Sequence, residues 1–133
     1  MAQPKTDATA NVNRGVATDF LEMVVSRRIK EAYDKHVSPG MMHHNPYYPA
    51  DAASLRRGME EAHAKFPDTT IRIVHAVAEG EYVAVHSHVT HEKGEPGVAV
   101  VHLFRFDERG KIVELWDVGQ PVPSESPNQS GMF

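Results

Sequence analysis

The feature that most constrains the fold of this chain is a predicted β-hairpin over residues 100–118. Two segments rich in β-branched and aromatic residues flank the polar turn Asp107–Gly110, whose glycine can adopt the positive φ that such turns often require. Because successive side chains of a strand point to opposite faces, Asp117 shares a face with Val113 and Leu115. A carboxylate in line with apolar residues either faces an internal cavity or lowers stability. The hairpin therefore predicts a site at Asp117.

The same alternation predicts on which face of the sheet the other side chains of the hairpin lie. On the first strand, His102 shares a face with Phe104. On the second strand, the face opposite Asp117 is predicted to carry Ile112, Glu114, Trp116 and Val118.

Composition narrows the class of protein. A chain of 133 residues is long enough for one domain and too short for two typical ones. The net charge of -4 is spread along the chain without a basic segment, which argues against binding to nucleic acid or to an anionic membrane surface. The chain has no cysteine, no segment typical of a signal peptide and no apolar stretch near the roughly 20 residues of a membrane span. We expect a soluble, cytoplasmic protein.

Two helical segments are predicted to precede four strands. The predicted elements are a helix over about 16–37 with Asn13 as a candidate cap, an apolar loop over 41–49, a helix from a cap at Asp51 or Ser54 to about Phe66, strands over 70–78 and 82–91, and the hairpin. This order predicts an α+β fold in which helices cover one face of a curved, mostly antiparallel sheet. Residues 1–12 are predicted to be a disordered tail, 13–123 the folded domain and 124–133 a C-terminal tail.

The nine histidines suggest proton transfer or metal binding if some of them converge. His86 and His88 share a face of one strand, but the alternation does not show whether that face lines the interior or lies outside at a dimer interface. Of the adjacent pair His43 and His44, only one is expected to face inward, and Tyr47 would contribute to a hydrophobic lip beside it. Zinc remains an alternative, since a metal could be held at the mouth of the fold by His44, His86, His88 and His102.

Three motifs carry a resemblance to a known family. The segment Phe104-Arg-Phe-Asp-x-x-Gly-Lys-Ile-Val-Glu-x-Trp-Asp-Val118, followed by Gln120-Pro-Val-Pro123, resembles the C-terminal signature of SnoaL-like proteins. These are polyketide-cyclase-related members of the nuclear-transport-factor-2-like superfamily. The segments His44-Asn-Pro46 and Val83-Ala-Val-His-Ser-His-Val89 resemble further parts of that family, and together the motifs cover roughly residues 16–123.

The resemblance implies a cone-shaped α+β barrel, usually a homodimer, with a pocket between the sheet and the N-terminal helices. Cyclases of the family close a ring by an intramolecular aldol reaction without cofactor or metal, using an aspartate as acid and base. Asp117 matches that aspartate, and His102 is placed similarly to a pocket histidine. The motif also favours His44 over His43 as the residue that faces inward.

These residues predict a cofactor-independent aldol-condensation, cyclase or isomerase enzyme that acts on a small apolar carbonyl compound. Such a reaction needs a base beside the reacting carbon and a hydrogen-bond donor for the enolate oxygen, which Asp117 and either His102 or His44 would supply. The candidate substrate contacts are His86, His88, Tyr47, Phe104 and Trp116. Two alternatives are a non-catalytic small-molecule-binding domain, in which Asp117 would be locked in a salt bridge with a residue such as Arg105, and a histidine-ligated metal enzyme.

Overall fold

Three helices cover one face of a five-stranded sheet in the computed structural model, which describes residues 4–133, with side chains from residue 8 onward. The elements are α1 (Pro4–Val25), α2 (Ile29–His36), β1 (Val37–His43), α3 (Ala52–Lys65), β2 (Thr70–Glu79), β3 (Tyr82–Thr90), β4 (Val98–Phe106) and β5 (Ile112–Pro121). The predicted α+β class is confirmed. None of the helices within residues 4–133 is long and apolar enough to cross a membrane.

The sheet has the order β1-β5-β4-β3-β2 and is mixed and open. Strands β2 to β5 form three consecutive antiparallel pairs, as predicted, and β1 adds to the edge of β5 in parallel. Helix α1 packs against β2 and β3, and α3 packs near β1. Residues of β2 to β5 line the space between the helices and the sheet.

The first predicted helix is two helices in the structure. Arg27 has a φ of 64°, and the turn is closed by hydrogen bonds from Arg27 N to Val24 O (3.0 Å) and from Arg28 N to Met23 O (2.9 Å). This pair of bonds is the Schellman arrangement, which satisfies the last carbonyls of a helix and ends it. Helix α1 also begins at Pro4 rather than near Asn13. The tail predicted over residues 1–12 is therefore helical from residue 4. Residues 1–3 of that prediction lie outside the described residues.

Strand β1 replaces the start of the predicted loop. The segment contains Pro39 and Gly40, which are uncommon inside strands, and the sequence therefore favoured a break there. The structure accommodates them because β1 lies at the edge of the sheet, where β5 is its one neighbouring strand. Proline has no backbone N–H group, and at an edge no second strand requires a hydrogen bond from that position. The register with β5 also shifts between Val37 and Met42.

The cap of α3 is confirmed at Asp51. Its Oδ2 accepts a hydrogen bond from Ser54 N at 2.9 Å, and its Oδ1 accepts one from Ser54 Oγ at 2.8 Å. This arrangement satisfies one of the free backbone donors at the start of the helix, as expected for an N-terminal aspartate.

A β-bulge decides which side chains of β5 reach the core. Arg105 pairs with Glu114 while Phe106 pairs with Ile112, so Val113 is an extra residue on β5. Ile112 is fully buried as a result, whereas strict alternation predicted it on the opposite face. Beyond the bulge the alternation resumes, and Leu115 and Asp117 share a face as predicted.

We call the face of the sheet that is turned toward the helices the inner face, and the opposite one the outer face. The inner face carries Ile71, Ile73, Val83, Val85, Ser87, His102, Phe104, Leu115 and Asp117. The outer face carries His75, His86, His88, Arg105, Glu114 and Trp116.

Candidate functional site

A pocket of about 810 Å³ lies between the inner face and the helices. Its volume is within the range of small-molecule sites, which is roughly 300–1,000 Å³. Much of the wall is apolar and is formed by Leu21, Val24, Val25, Met59, Ile71, Val89, Val98 and Val100. A ligand in this pocket would have to present mostly apolar surface to the protein.

Asp117 and His102 form the polar part of the pocket wall on β4 and β5. The two residues are directly paired across the antiparallel ladder, so their side chains leave the sheet on the same face. Asp117 also accepts a hydrogen bond from the side-chain amide of Asn45, with Nδ2 3.0 Å from Oδ2. The carboxylate is thus oriented by a neutral donor, and its other oxygen makes no hydrogen bond to the described residues.

Burial keeps the His102 ring neutral. Removal from water lowers the pKa of His102 from 6.5 to about 4, and the charge of Asp117 opposes that shift. The Nδ1 atom is buried and has no hydrogen-bond partner among the described residues. The remaining nitrogen, Nε2, is the one available to a molecule in the pocket, and a neutral imidazole can donate a hydrogen bond through it.

Asn45 is held in place by the loop that follows β1. Its Oδ1 accepts a hydrogen bond from Tyr47 N at 3.0 Å, and its backbone N donates to His43 Nδ1 at 3.1 Å. His43 is buried, and its second ring nitrogen lies 2.5 Å from Pro49 O. The sequence prediction missed Asn45, although Asn45 lies in the motif His44-Asn-Pro46, because the sequence does not show that this loop meets Asp117.

His44 and Trp116 lie on the outer face, which corrects their prediction as pocket residues. The two rings stack with centroids 4.8 Å apart, and His44 Nε2 is 2.7 Å from Glu114 Oε2. Glu114 also accepts a hydrogen bond from Arg105 Nε at 2.9 Å, and these contacts lower the pKa of its carboxyl group, His44 contributing most. The physical reason is alternation along the chain, because His43 takes the inward position and its neighbour must point outward.

His86 and His88 also lie on the outer face and do not line the pocket. Val85 and Ser87, which alternate with them along β3, fill the inner positions and are fully buried. His86 instead stacks on His75, with ring centroids 5.3 Å apart. The alternative that these two histidines point outside is therefore the one that the structure supports.

Of the two predicted substrate contacts Phe104 and Tyr47, only Tyr47 lines the pocket. Phe104 is fully buried in the core, where it packs edge-on against Phe20, and it does not line the pocket. Tyr47 lines the pocket and is 85% exposed, which is consistent with the predicted lip.

A second polar group lines the pocket away from Asp117. It consists of His63 on α3, Thr69 just before β2 and His91 just after β3. Neither His63 nor Thr69 belongs to a sequence motif or to the alternation of a strand, so the sequence does not predict them as pocket residues. The tertiary structure brings them to the same cavity.

The four histidines proposed as zinc ligands do not converge. His102 lies on the inner face, whereas His44, His86 and His88 lie on the outer face. In the part of the chain that the structure describes, no three histidine or acidic side chains are arranged as a metal-binding group.

Comparison with known proteins identifies the family. The family model described as "SnoaL-like domain" matches residues 17–115, which include β1 to β4 and the start of β5. The chain belongs to the SnoaL-like family. A relative from Aspergillus niger named "Probable cyclase otaY" is 26% identical over 110 residues, which cover 82% of this chain and 92% of that protein.

Solved structures agree with the SnoaL-like fold. A "putative SnoaL-like polyketide cyclase" from Jannaschia sp. CCS1 matches with a TM-score of 0.72 at 14% identity, covering 90% of each chain. A "putative ketosteroid isomerase" from Kribbella flavida matches with a TM-score of 0.71 at 16% identity, covering 90% of this chain and 86% of the other. At these identities the two structures support the fold alone.

Proposed function

We propose that this SnoaL-like protein is an acid–base enzyme of the cyclase or isomerase type that acts on an apolar carbonyl compound. The observation that carries the proposal is the pairing of Asp117 with a neutral His102 in the wall of a mostly apolar pocket. A base and a neutral hydrogen-bond donor are the two groups that enolate chemistry requires.

The proposed reaction begins with Asp117 as the base. Its carboxylate takes a proton from the carbon next to the substrate carbonyl, and the electron pair of the C–H bond moves to the carbonyl oxygen. His102 Nε2 donates a hydrogen bond to that oxygen while its negative charge develops. The resulting enolate either attacks a second carbonyl of the same molecule, which closes a ring, or is protonated at a different carbon, which gives an isomer. In both cases Asp117 returns the proton.

The state of Asp117 favours catalysis over simple ligand binding. A binding domain would tolerate an aspartate locked in a salt bridge, but Arg105 pairs with Glu114 on the outer face. Within residues 8–133 the hydrogen bond to Asp117 comes from the neutral amide of Asn45, and Asp117 takes part in no ion pair. Its charge therefore remains available for proton abstraction.

The relative named as a cyclase supports the same chemistry, since it covers most of both chains. The proposal needs no cofactor. The homodimer that the resemblance implies stays a prediction, and so does the apolar character of the substrate, which rests on the lining of the pocket.

Exchange of carbon-bound protons tests the proposal without knowledge of the natural substrate. The protein is incubated with 2-tetralone in D₂O, and loss of the C1 proton signal is followed by NMR. We expect the wild-type protein to accelerate exchange over buffer, and Asp117→Asn to lower the enzymatic rate by about 100-fold or more, the size expected for loss of a general base.

Glu114→Gln is the matched control, because Glu114 lies on the same strand but on the outer face. It should exchange at the wild-type rate, and circular dichroism should show that both variants fold. If Asp117→Asn retained the full rate, the assignment of the base would be wrong. If the wild-type protein bound 2-tetralone without any acceleration of exchange, the binding-domain alternative would replace the enzyme.

A further inference from the structure

Two polar atoms on the inner face of the sheet are shielded from solvent and have no hydrogen-bond partner among the described residues. They are Oγ of Ser87 on β3 and Nδ1 of His102 on β4. Ser87 as a whole is fully buried. Since nearly all buried polar groups in proteins are hydrogen-bonded, two unpaired atoms on one face of the sheet require a physical explanation.

The register of the sheet makes Ser87 and His102 diagonal neighbours. His102 pairs with Val85, and Ser87 pairs with Val100, so the two side chains leave adjacent strands on the same face. Diagonal neighbours of this kind lie roughly 7–8 Å apart, and their Cβ atoms lie somewhat closer. A hydrogen bond between the two side chains is therefore within reach, either directly after rotation about the serine Cα–Cβ bond or through one bridging water.

The other close neighbours of the His102 ring do not satisfy Nδ1. Val85, which lies directly opposite on β3, is apolar. The Phe104 ring, with its centroid 6.2 Å from that of His102, carries no hydrogen-bonding atom. Asp117 is paired with His102 on β5, the strand on the other side of β4, and makes no hydrogen bond to Nδ1. Ser87 is therefore the polar side chain of β3 that can serve this nitrogen.

The hydroxyl hydrogen of Ser87 decides which nitrogen of the neutral His102 ring carries the proton. This hydrogen needs an acceptor, and Oγ has no partner among the described residues. If Nδ1 is unprotonated, its lone pair accepts the hydrogen and both atoms are satisfied. If Nδ1 carried the proton instead, it could donate to Oγ, but the serine hydrogen would then stay unpaired in a buried position, which costs free energy. The pair therefore favours the tautomer with the proton on Nε2.

We infer that Ser87 is a positioning residue for His102, whose Nδ1 accepts a hydrogen bond from the serine hydroxyl so that the proton of the ring stays on Nε2. The hydrogen bond that one ring nitrogen makes sets the protonation of the other. The catalytic value of this role rests on the proposed function, because Nε2 is the atom that would donate to the enolate oxygen. Ser87 does not line the pocket, so it acts on the reaction through His102 and not through the substrate.

The tautomer of His102 is measured by NMR at neutral pH. Long-range ¹H–¹⁵N correlation spectra of protein labelled with ¹⁵N-histidine distinguish protonated from unprotonated ring nitrogens, and the His102 signals are assigned by their loss in His102→Leu. We expect the wild-type ring to carry its proton on Nε2. In Ser87→Ala the ratio of the Nε2–H to the Nδ1–H tautomer should fall roughly tenfold, which corresponds to the loss of one hydrogen bond. The averaged signals of the two nitrogens should then move toward each other.

Two further variants separate hydrogen bonding from packing. Ser87→Thr keeps the hydroxyl and should retain the wild-type tautomer. Val85→Ala removes two methyl groups, but no hydrogen-bonding group, from a fully buried residue directly opposite His102, and it should retain the wild-type tautomer as well. Because Val85→Ala disturbs packing more than Ser87→Ala does, a tautomer change confined to Ser87→Ala identifies the hydroxyl as its cause.

Proton exchange of 2-tetralone connects the tautomer to the proposed function. In Ser87→Ala, kcat should fall in proportion to the fraction of His102 that still carries its proton on Nε2, while KM stays at the wild-type value. The inference is overturned if the wild-type ring carries its proton on Nδ1, if Ser87→Ala leaves the tautomer ratio unchanged, or if kcat does not follow that fraction. A shifted tautomer in a protein whose wild-type form exchanges no protons would instead contradict the proposed function and confirm the contact between Ser87 and His102.

Discussion

At the scale of single residues, the half-buried ring of His102 makes stability depend on pH. In the unfolded chain the ring takes up a proton near the usual pKa of 6.5, whereas in the folded protein it does so only near a pKa of about 4. Between these two values the unfolded state binds more protons than the folded state. The free energy of unfolding therefore falls as the pH is lowered from 6.5 toward 4, and this contribution is absent above that window.

We expect the wild-type protein to lose about 2 kcal/mol of unfolding free energy through His102 between pH 7 and pH 5. Urea unfolding at the two pH values, compared with His102→Leu, measures this loss, because the variant lacks the titrating ring and should depend less on pH by that amount. Val101→Ala is the control, since Val101 has no titrating group and lies next to His102 on the outer face, and it should keep the wild-type pH dependence. An identical pH dependence in the wild-type protein and His102→Leu would contradict the assignment.

Only part of the candidate site follows from the sequence. Alternation along β5 predicts that Asp117 shares the face of Leu115, which holds beyond the bulge, and the resemblance to the family adds His102. The other strand residues that were predicted as substrate contacts do not line the pocket. Asn45 lies in a loop, and His63 lies on a helix whose orientation depends on packing. Their places in the pocket result from contacts between segments far apart in the chain, which no local pattern records.

At the scale of elements, α3 approaches the loop after β1 closely because it has a glycine at the contact. A Cβ atom added to Gly58 would lie 2.4 Å from the Tyr48 ring. In contrast, a Cβ atom added to Gly15 on α1 would meet no atom within 4 Å. Packing therefore requires glycine at position 58 but not at position 15.

Replacement of these two glycines by alanine should have opposite effects. Gly15→Ala should raise the free energy of unfolding by about 0.5–1 kcal/mol, since alanine has the higher helix propensity. Gly58→Ala should lower it by about 1–3 kcal/mol despite the same gain in propensity, because the Tyr48 ring must move. Urea unfolding of the two variants provides the comparison. If Gly58→Ala were as stabilising as Gly15→Ala, the close approach of α3 to Tyr48 would be wrong.

The sequence also predicted most elements correctly, and its errors have physical causes. The four antiparallel strands and the cap at Asp51 follow from local alternation and local hydrogen bonds. Strand β1 was not predicted because it contains Pro39 and because its one partner strand, β5, lies far away in the sequence. The break at Arg27 requires a non-glycine residue in the left-handed conformation, which is rare enough that sequence patterns do not favour it.

At the scale of the whole molecule, the sheet separates two environments. The pocket lies against the inner face, and the last residue of the chain packs on the outer face. The Phe133 ring stacks on His88 and His86 with centroids 4.5 and 5.5 Å away, and Arg72 Cζ lies 5.3 Å from its centre. The segment predicted as a C-terminal tail therefore contacts the domain through its final side chain.

Phe133→Ala should consequently lower stability without changing ligand binding. The loss of ring stacking and of the contact with Arg72 should reduce the free energy of unfolding by about 1 kcal/mol, as measured with urea. Gln129→Ala, in the same exposed segment but without such contacts, should change it by less than about 0.5 kcal/mol. Both variants should bind 2-tetralone with the wild-type dissociation constant, since the sheet lies between Phe133 and the pocket. A weaker affinity in Phe133→Ala alone would contradict this separation of the two faces. A contact on the outer face would then alter the position of the pocket residues on the same strands, so the two faces of the sheet would be coupled.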